Sequence, residues 1–219
     1  GSGKSTLSYM LAGREGYEIQ SGKVTFENKD ISAISPNERS NAGLFLAFQY
    51  PVELPGVSSV NFLRESVNSR RKYLGKEELN HLNFVKEVKK VANSMSIKDE
   101  MLKRSVNVGF SGGEKKRFEI LQMAMLEPKL SVLDETDSGL DVDALKIVSE
   151  GVNKHKNEEN AIIIITHYQR LLNEITPDYV HVMSDGKILK TGNKDLAIEL
   201  EKSGYDWIEE EKEIKGETN

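Results

Sequence analysis

"LSVLDE", residues 130–135, is a short apolar run that stops at two carboxylates. Its composition predicts a strand over Leu130–Asp134 with Asp134 and Glu135 at its end. A strand ending beside a phosphate loop would put these carboxylates at a bound nucleotide's metal and water, and the beginning of the chain offers such a loop. "GSGKSTL" (residues 1–7) reads as the second half of the phosphate-binding pattern G-x-x-x-x-G-K-[ST], with a helix opening behind it. Glycines there let backbone N–H groups crowd around a phosphate, and the helix N-terminus adds a favourable field. On that reading Gly1, Ser2, Gly3, Lys4, Ser5 and Thr6 contact a nucleotide. Lys4 bridges its terminal phosphates, and the Ser5 hydroxyl takes a coordination site on Mg²⁺. Asp134 holds the same ion, usually through water, and Glu135 sits beside the γ-phosphate to polarise the attacking water. The plain alternatives are a flexible Gly/Ser linker at the N-terminus and an ordinary strand followed by a polar loop. Together the two stretches point to a nucleotide hydrolase. The first glycine of the loop, and the strand leading into it, are expected upstream of Gly1.

Composition narrows the setting. The chain has 219 residues, 37% of them hydrophobic and 30% charged, with a formal net charge of −5. That acidic balance argues against a nucleic-acid grip, which needs a basic face. There is no cysteine, so disulfides and thiolate metal ligation are excluded. The longest strongly apolar run, Ala161–Ile165, is far below the roughly 20 residues that span a bilayer. A cytoplasmic protein is expected, or one of an organelle matrix if an upstream leader exists.

The remaining elements follow from pattern. Ser5–Leu11 reads as the first helix and Lys23–Asn28 ("KVTFEN") as an alternating strand. Gly43–Gln49 ("GLFLAFQ") suits a strand buried on both faces, and "YPVELPG" (50–56), with two prolines, marks a break. Val60–Tyr73 and Glu77–Met95 read as helices; in the second, Leu82, Val85, Val88, Ala92 and Met95 recur at helical spacing. A helix is expected over Asp141–Lys154, a strand over Ala161–Thr166, and a hairpin around Asp185-Gly186. Residues 209–219 form a polar tail. The alternation predicts an α/β fold with a mainly parallel sheet covered by helices, and with helices over residues 50–110 inserted into it.

"GFSGGEKKR" (109–117) closely resembles the signature motif of ATP-binding-cassette (ABC) ATPases and stands where theirs stands, at the end of the helical insertion. Around it Gln49 matches the Q-loop, "SGLD" (138–141) the D-loop, and His167 in "IIIITH" the switch histidine. The resemblance implies the P-loop ABC ATPase fold, here without its N-terminal strands. It also implies Mg-ATP hydrolysis in a head-to-tail dimer in which each chain completes the other's site. Ser111 and the N–H groups of Gly112 and Gly113 form the surface offered to the partner's nucleotide. His167 contacts the γ-phosphate, Gln49 reaches the Mg²⁺ and the water, and Asp141 couples the two sites. Lys115, Lys116 and Arg117 are taken as a solvated helix face. The family's adenine-stacking aromatic also lies upstream, so these 219 residues alone are expected to bind ATP poorly.

Residues 43–64, 133–145, the stretch "THYQRLLNEITPDYVHVMSDGKILKTG" and "LAIELEKSGYDWI" (196–208) closely resemble the SUF-system ATPases, the SufC family. That resemblance spans essentially the whole chain. It implies a soluble ATPase working with two related SufB/SufD-like scaffold subunits that assemble iron–sulfur clusters. A chain without cysteine could drive such assembly without itself holding a cluster. The alternatives are the nucleotide-binding subunit of a transporter, a DNA-repair or chromosome-organising cassette, and a non-catalytic regulatory cassette. The stretch between Gln49 and Ser111 is too short for the coiled coil of the second. Glu135 and His167, which degenerate cassettes often lose, argue against the third.

Overall fold

A computed structural model describes residues 2–167 and 169–203. Gly3, at φ 88°, turns the chain into helix α1 (Lys4–Ala12), which ends at Gly13. The alternation over Lys23–Asn28 yields only β1 (Thr25–Phe26), because the chain reverses at once into β2 (Lys29–Asp30). Glu27 and Asn28 take positive φ of 50° and 62° there, the geometry of a tight hairpin turn. Helix α2 (Pro36–Ala42) has Pro36 in its first turn and a capping box between Ser35 and Glu38. Buried Arg39 ties α2 to α1 by donating to the Met10 and Leu11 carbonyls.

Next comes β3 (Leu44–Ala47), then β4 (Leu54–Ser58), α3 (Ser59–Tyr73), α4 (His81–Ser94), α5 (Asp99–Lys103) and β5 (Ser105–Val106). The break expected at 50–56 is partly a strand. β4 pairs antiparallel with β5 despite Pro55 and Gly56, with a register shift between Leu54 and Ser58. In α4 the buried stripe is Phe84, Val88 and Ala92, continued by Met95, while Leu82 is exposed. Leu82 lies six residues from Val88, about 120° round the axis at 3.6 residues per turn, so it misses the core.

Helix α6 (Gly112–Leu126), β6 (Leu130–Asp134), α7 (Val142–His155) and β7 (Ala161–Ile165) carry the chain back through the sheet. α8 (Gln169–Glu174), β8 (Val180–Ser184), β9 (Lys187–Gly192) and α9 (Lys194–Ser203) follow, with β8 and β9 forming the expected hairpin around Asp185-Gly186. The sequence-predicted tail over 209–219, and the end of the 196–208 stretch, lie outside the described residues.

The central sheet has the order β3–β6–β7, all parallel, with Leu46 beside Val132 and Val132 beside Ile163. Its strands are nearly continuous apolar runs, as expected where helices cover both faces. One hydrophobic core joins Phe45 and Leu133 of the sheet to Leu63, Phe84 and Val88 of the inserted helices and to Phe118 and Leu121 of α6. Helices α6 and α7 lie close together. A Cβ on Gly113 would stand 3.6 Å from Ala144, and one on Gly151 would collide with Ile120 at 2.5 Å. Since Gly113 faces Ala144 and Ile120 faces Gly151, the two helices run in the same direction. Because the three strands are parallel, their C-terminal ends fall on one edge, where α/β sheets gather their ligands. Gln49, Glu135 and His167 follow those three ends.

Candidate functional site

The two stretches that opened the sequence argument meet in space. The Ser5 hydroxyl donates to Asp134 Oδ1 at 3.3 Å, and Ser8, one turn further along α1, donates to Oδ2 at 2.9 Å. Asp134 is fully buried. Lys4 folds back onto the Ser2 hydroxyl at 2.6 Å, and the Ser2 carbonyl accepts the Gly186 N–H at 3.1 Å. The hairpin turn therefore braces the start of the loop. Glycine is favoured at position 3 by the positive φ of 88°, and Gly3 packs against Met183 and Gly186. Thr6 is exposed on the outer side of α1, and Gly1 lies outside the described residues.

Glu135 stands at the turn out of β6 with φ 47°, a left-handed conformation uncommon for a residue with a side chain. Its N–H donates to the Ile165 carbonyl at 2.8 Å, tying it to the end of β7. Its carboxylate is gripped on both oxygens: Gln49 Nε2 donates to Oε2 at 2.7 Å, and His167 Nε2 lies 3.0 Å from Oε1. Three residues chosen separately from the sequence thus form one cluster. Glu135 is largely shielded, with 17% of its side chain exposed against 53% for His167. Thr166 adds a bond from its hydroxyl to Asp137 Oδ2 at 2.7 Å, and burial pushes the Asp137 carboxyl above its usual range. Chemically, this is a carboxylate held in place near the N-terminal end of α1, with the hydrogen-bonded Ser5–Asp134 pair next to it.

The signature residues sit apart from this cluster. Ser111 caps α6 in a capping box: its hydroxyl accepts the Glu114 N–H at 3.3 Å, and Glu114 accepts the Ser111 N–H at 2.8 Å. That second bond holds the Glu114 carboxyl below its usual range. Ser111 and Gly112 are exposed, so this surface faces outward. Asp141 is exposed as well and caps α7 by accepting the Ala144 N–H at 2.7 Å.

One expectation is corrected. The Lys115–Arg117 run is not a solvated face throughout, because Lys116 is only 4% exposed. It points inward, where its ammonium donates to the Phe48 and Gln49 carbonyls and to Glu119. Charge alone suggested solvent, and the partner that draws Lys116 inside is main chain, which leaves no trace in composition. Lys115 instead pairs with Glu53 at 2.8 Å, and Arg117 donates to Ser96 and Gly113 carbonyls. Sequence reasoning also missed Ser8, although its three-residue offset from Ser5 on a helix was a usable signal.

A family model described as ABC transporter matches residues 1–138. The chain belongs to the ABC family of ATPases. The chain is 53% identical over 211 residues to the Escherichia coli protein described as "Probable ATP-dependent transporter SufC", covering 96% of this chain and 85% of that one. A Synechocystis protein described as a probable ATP-dependent transporter, without the SufC name, is 57% identical over 211 residues, covering 96% of this chain and 82% of that one. Among solved structures, an ATP-binding cassette of an ABC transporter matches with a TM-score of 0.71 at 28% identity, over 95% of this chain and 83% of that chain. A dimeric cassette in a post-hydrolysis state, bound to ADP and phosphate, matches with a TM-score of 0.71 at 15% identity, over 88% and 81%. The last likeness speaks for the fold alone. No helix of this ABC ATPase, among the described residues, is long and apolar enough to cross a membrane.

Proposed function

We propose that this ABC ATPase binds Mg-ATP at the junction of α1, β6 and β7 and hydrolyses it to drive conformational change in a SUF-type iron–sulfur cluster scaffold. The observation that carries the hydrolytic part is the Glu135 carboxylate, held at 2.7 Å by Gln49 and at 3.0 Å by His167 directly after the buried Asp134. Lys4 and the N–H groups at the start of α1 hold the phosphates. Glu135 takes the proton of the attacking water as the water oxygen bonds to Pγ and the bond from Pγ to the β,γ-bridging oxygen breaks, ADP being the leaving group, while Gln49 and His167 fix its direction. Ser5 and Asp134 fit a Mg²⁺ ion, and among the described residues no group of three or more acidic or His side chains surrounds one. A cation there would take its other ligands from phosphate and water, and would supply charge neutralisation at the phosphates.

Only part of the site lies in one chain. Ser111, Gly112 and Gly113 lie outside the Glu135 cluster, on the exposed N-terminus of α6. This supports a head-to-tail pair in which they cover the partner copy's γ-phosphate, with Asp141 at the seam. The SUF assignment is supported by 53% identity to SufC across nearly the whole chain. The printed names of the relatives favour a second reading, a transporter's nucleotide-binding subunit. Affinity capture of the full-length protein separates the two. The SUF reading expects co-purification of two related scaffold proteins without membrane spans, and a membrane-spanning partner would replace it with the transporter reading.

A further inference from the structure

Helix α6 carries two charged residues into the interior three positions apart, Lys116 and Glu119, with 5% and 4% of their side chains exposed. Burying an ion pair costs several kcal/mol of desolvation per ion, and an apolar pair of similar volume is often as stable or more so. A pair kept there against that cost is explained by where its remaining hydrogen bonds go. Every one of them goes to the main chain of two adjacent residues, Phe48 and Gln49. Glu119 Oε1 accepts the Phe48 N–H at 2.7 Å, and Lys116 Nζ donates to the Phe48 carbonyl and to the Gln49 carbonyl at 3.1 Å. The ion pair itself is the looser contact, at 3.4 Å. The segment gripped this way is the exit of β3, where sheet pairing has ended at Ala47. Nothing in the ladder fixes the backbone there, and the next side chain is Gln49, whose amide meets Glu135.

We propose that Lys116 and Glu119 are positioning residues for hydrolysis: together they clamp the Phe48–Gln49 main chain and so aim the Gln49 amide at Glu135. The proposal rests on the role given above to Gln49. Neither residue touches the nucleotide site, so their loss misdirects Gln49 and leaves the phosphate loop as it was. Errors of about 1 Å in placing a catalytic group cost up to about a hundredfold in rate. The signature Ser111 caps the same helix one turn earlier, so the clamp ties the Q-loop main chain to the helix that the other copy's nucleotide would touch.

The test is steady-state ATPase kinetics on the full-length protein with Glu119→Ala, Glu119→Gln, Lys116→Met and, as reference, Gln49→Ala. Expected are kcat losses of about tenfold for Glu119→Ala and Lys116→Met with KM for ATP within about twofold, a split that general loosening of the fold does not give. Glu119→Gln restores most of the rate, because its amide oxygen still accepts the Phe48 N–H. If Glu119→Ala does not fold, Lys116→Met and the Gln variant carry the same comparison. Wild-type kcat in Glu119→Ala or Lys116→Met, beside an impaired Gln49→Ala, overturns the clamp; so does a parallel loss in which KM moves as much as kcat. Normal turnover in Gln49→Ala removes the role of Gln49 itself, and the clamp with it.

Discussion

The Gln49 amide donates to Glu135 Oε2 at 2.7 Å, joining the end of β3 to the end of β6 across the head of the sheet. The carboxylate is thereby oriented before any water arrives. Changing Glu135→Gln keeps the shape and removes the charge that takes the proton. Turnover is expected to fall at least about a hundredfold, the ordinary contribution of a general base. ATP binding persists, so gel filtration of the full-length variant in Mg-ATP shows a lasting dimer. A monomer with wild-type turnover would rule the role out.

Ser8 is fully buried, and its hydroxyl donates to Asp134 Oδ2. Ser8→Ala strands part of a buried carboxylate, at a cost of about 1–3 kcal/mol. Thermal denaturation should show a lower Tm, partly recovered by Mg-ATP. An unchanged Tm would mean that water replaces the hydroxyl without loss.

Ser35 and Ser111 both cap helices through capping boxes, which makes them a matched pair. Replacing either with Ala costs about 1 kcal/mol of stability. Only Ser111→Ala should also impair ATP-dependent dimerisation and hydrolysis. Equal effects of both on turnover would reduce the signature serine to a cap.

Glu119 holds its proton more tightly folded than unfolded: burial pushes its carboxyl from 4.5 up to about 7, against the pull of Lys116 and the Phe48 N–H. For an acid the sign follows directly, since the folded state binds more protons between those values and loses stability as pH rises through them. Chemical denaturation of wild type and Glu119→Gln across that range should show the difference moving in favour of the variant from about pH 4.5 to about 7, then levelling off. A difference independent of pH would show that Glu119 titrates alike in the folded and unfolded states.

Tyr50 is 79% exposed directly after Gln49, and Arg64 pairs at the surface with Glu65 and His81. A partner docked on residues 49–64 would thus touch the neighbour of the residue bonded to Glu135. Arg64→Ala and Glu53→Ala are expected to weaken capture of the scaffold and leave ATP affinity intact. Lost nucleotide affinity with unchanged capture would make the segment structural.

The sequence read well where one residue type serves one purpose. Leu130–Asp134 reappears residue for residue as β6, and the carboxylates ending it lie against Ser5 and Gln49. Reading failed where the decisive partner is backbone or distant. Lys116 carries the same charge as Lys115, yet one is drawn inside by two carbonyls far along the chain. The stripe of α4 was displaced toward Leu82 because spacings of three and four fit more than one face; Phe84 wins because it is the side chain the core surrounds. The strand at Thr25 stopped early because two residues accept left-handed backbone angles, and neither of them is glycine.

The close approach of Gly151 to Ile120, matched by that of Gly113 to Ala144, fastens α6 to α7 at two points seven residues apart on each helix. At 1.5 Å per residue those fastenings lie about 10 Å from each other. Contact at two separated points resists sliding and scissoring more than a single crossing would. Both helices begin at the same end of the pair, one at Ser111 and the other at Asp141. The distance between those two exposed caps is therefore set by how tightly the two helices pack, and not by the loops on either side.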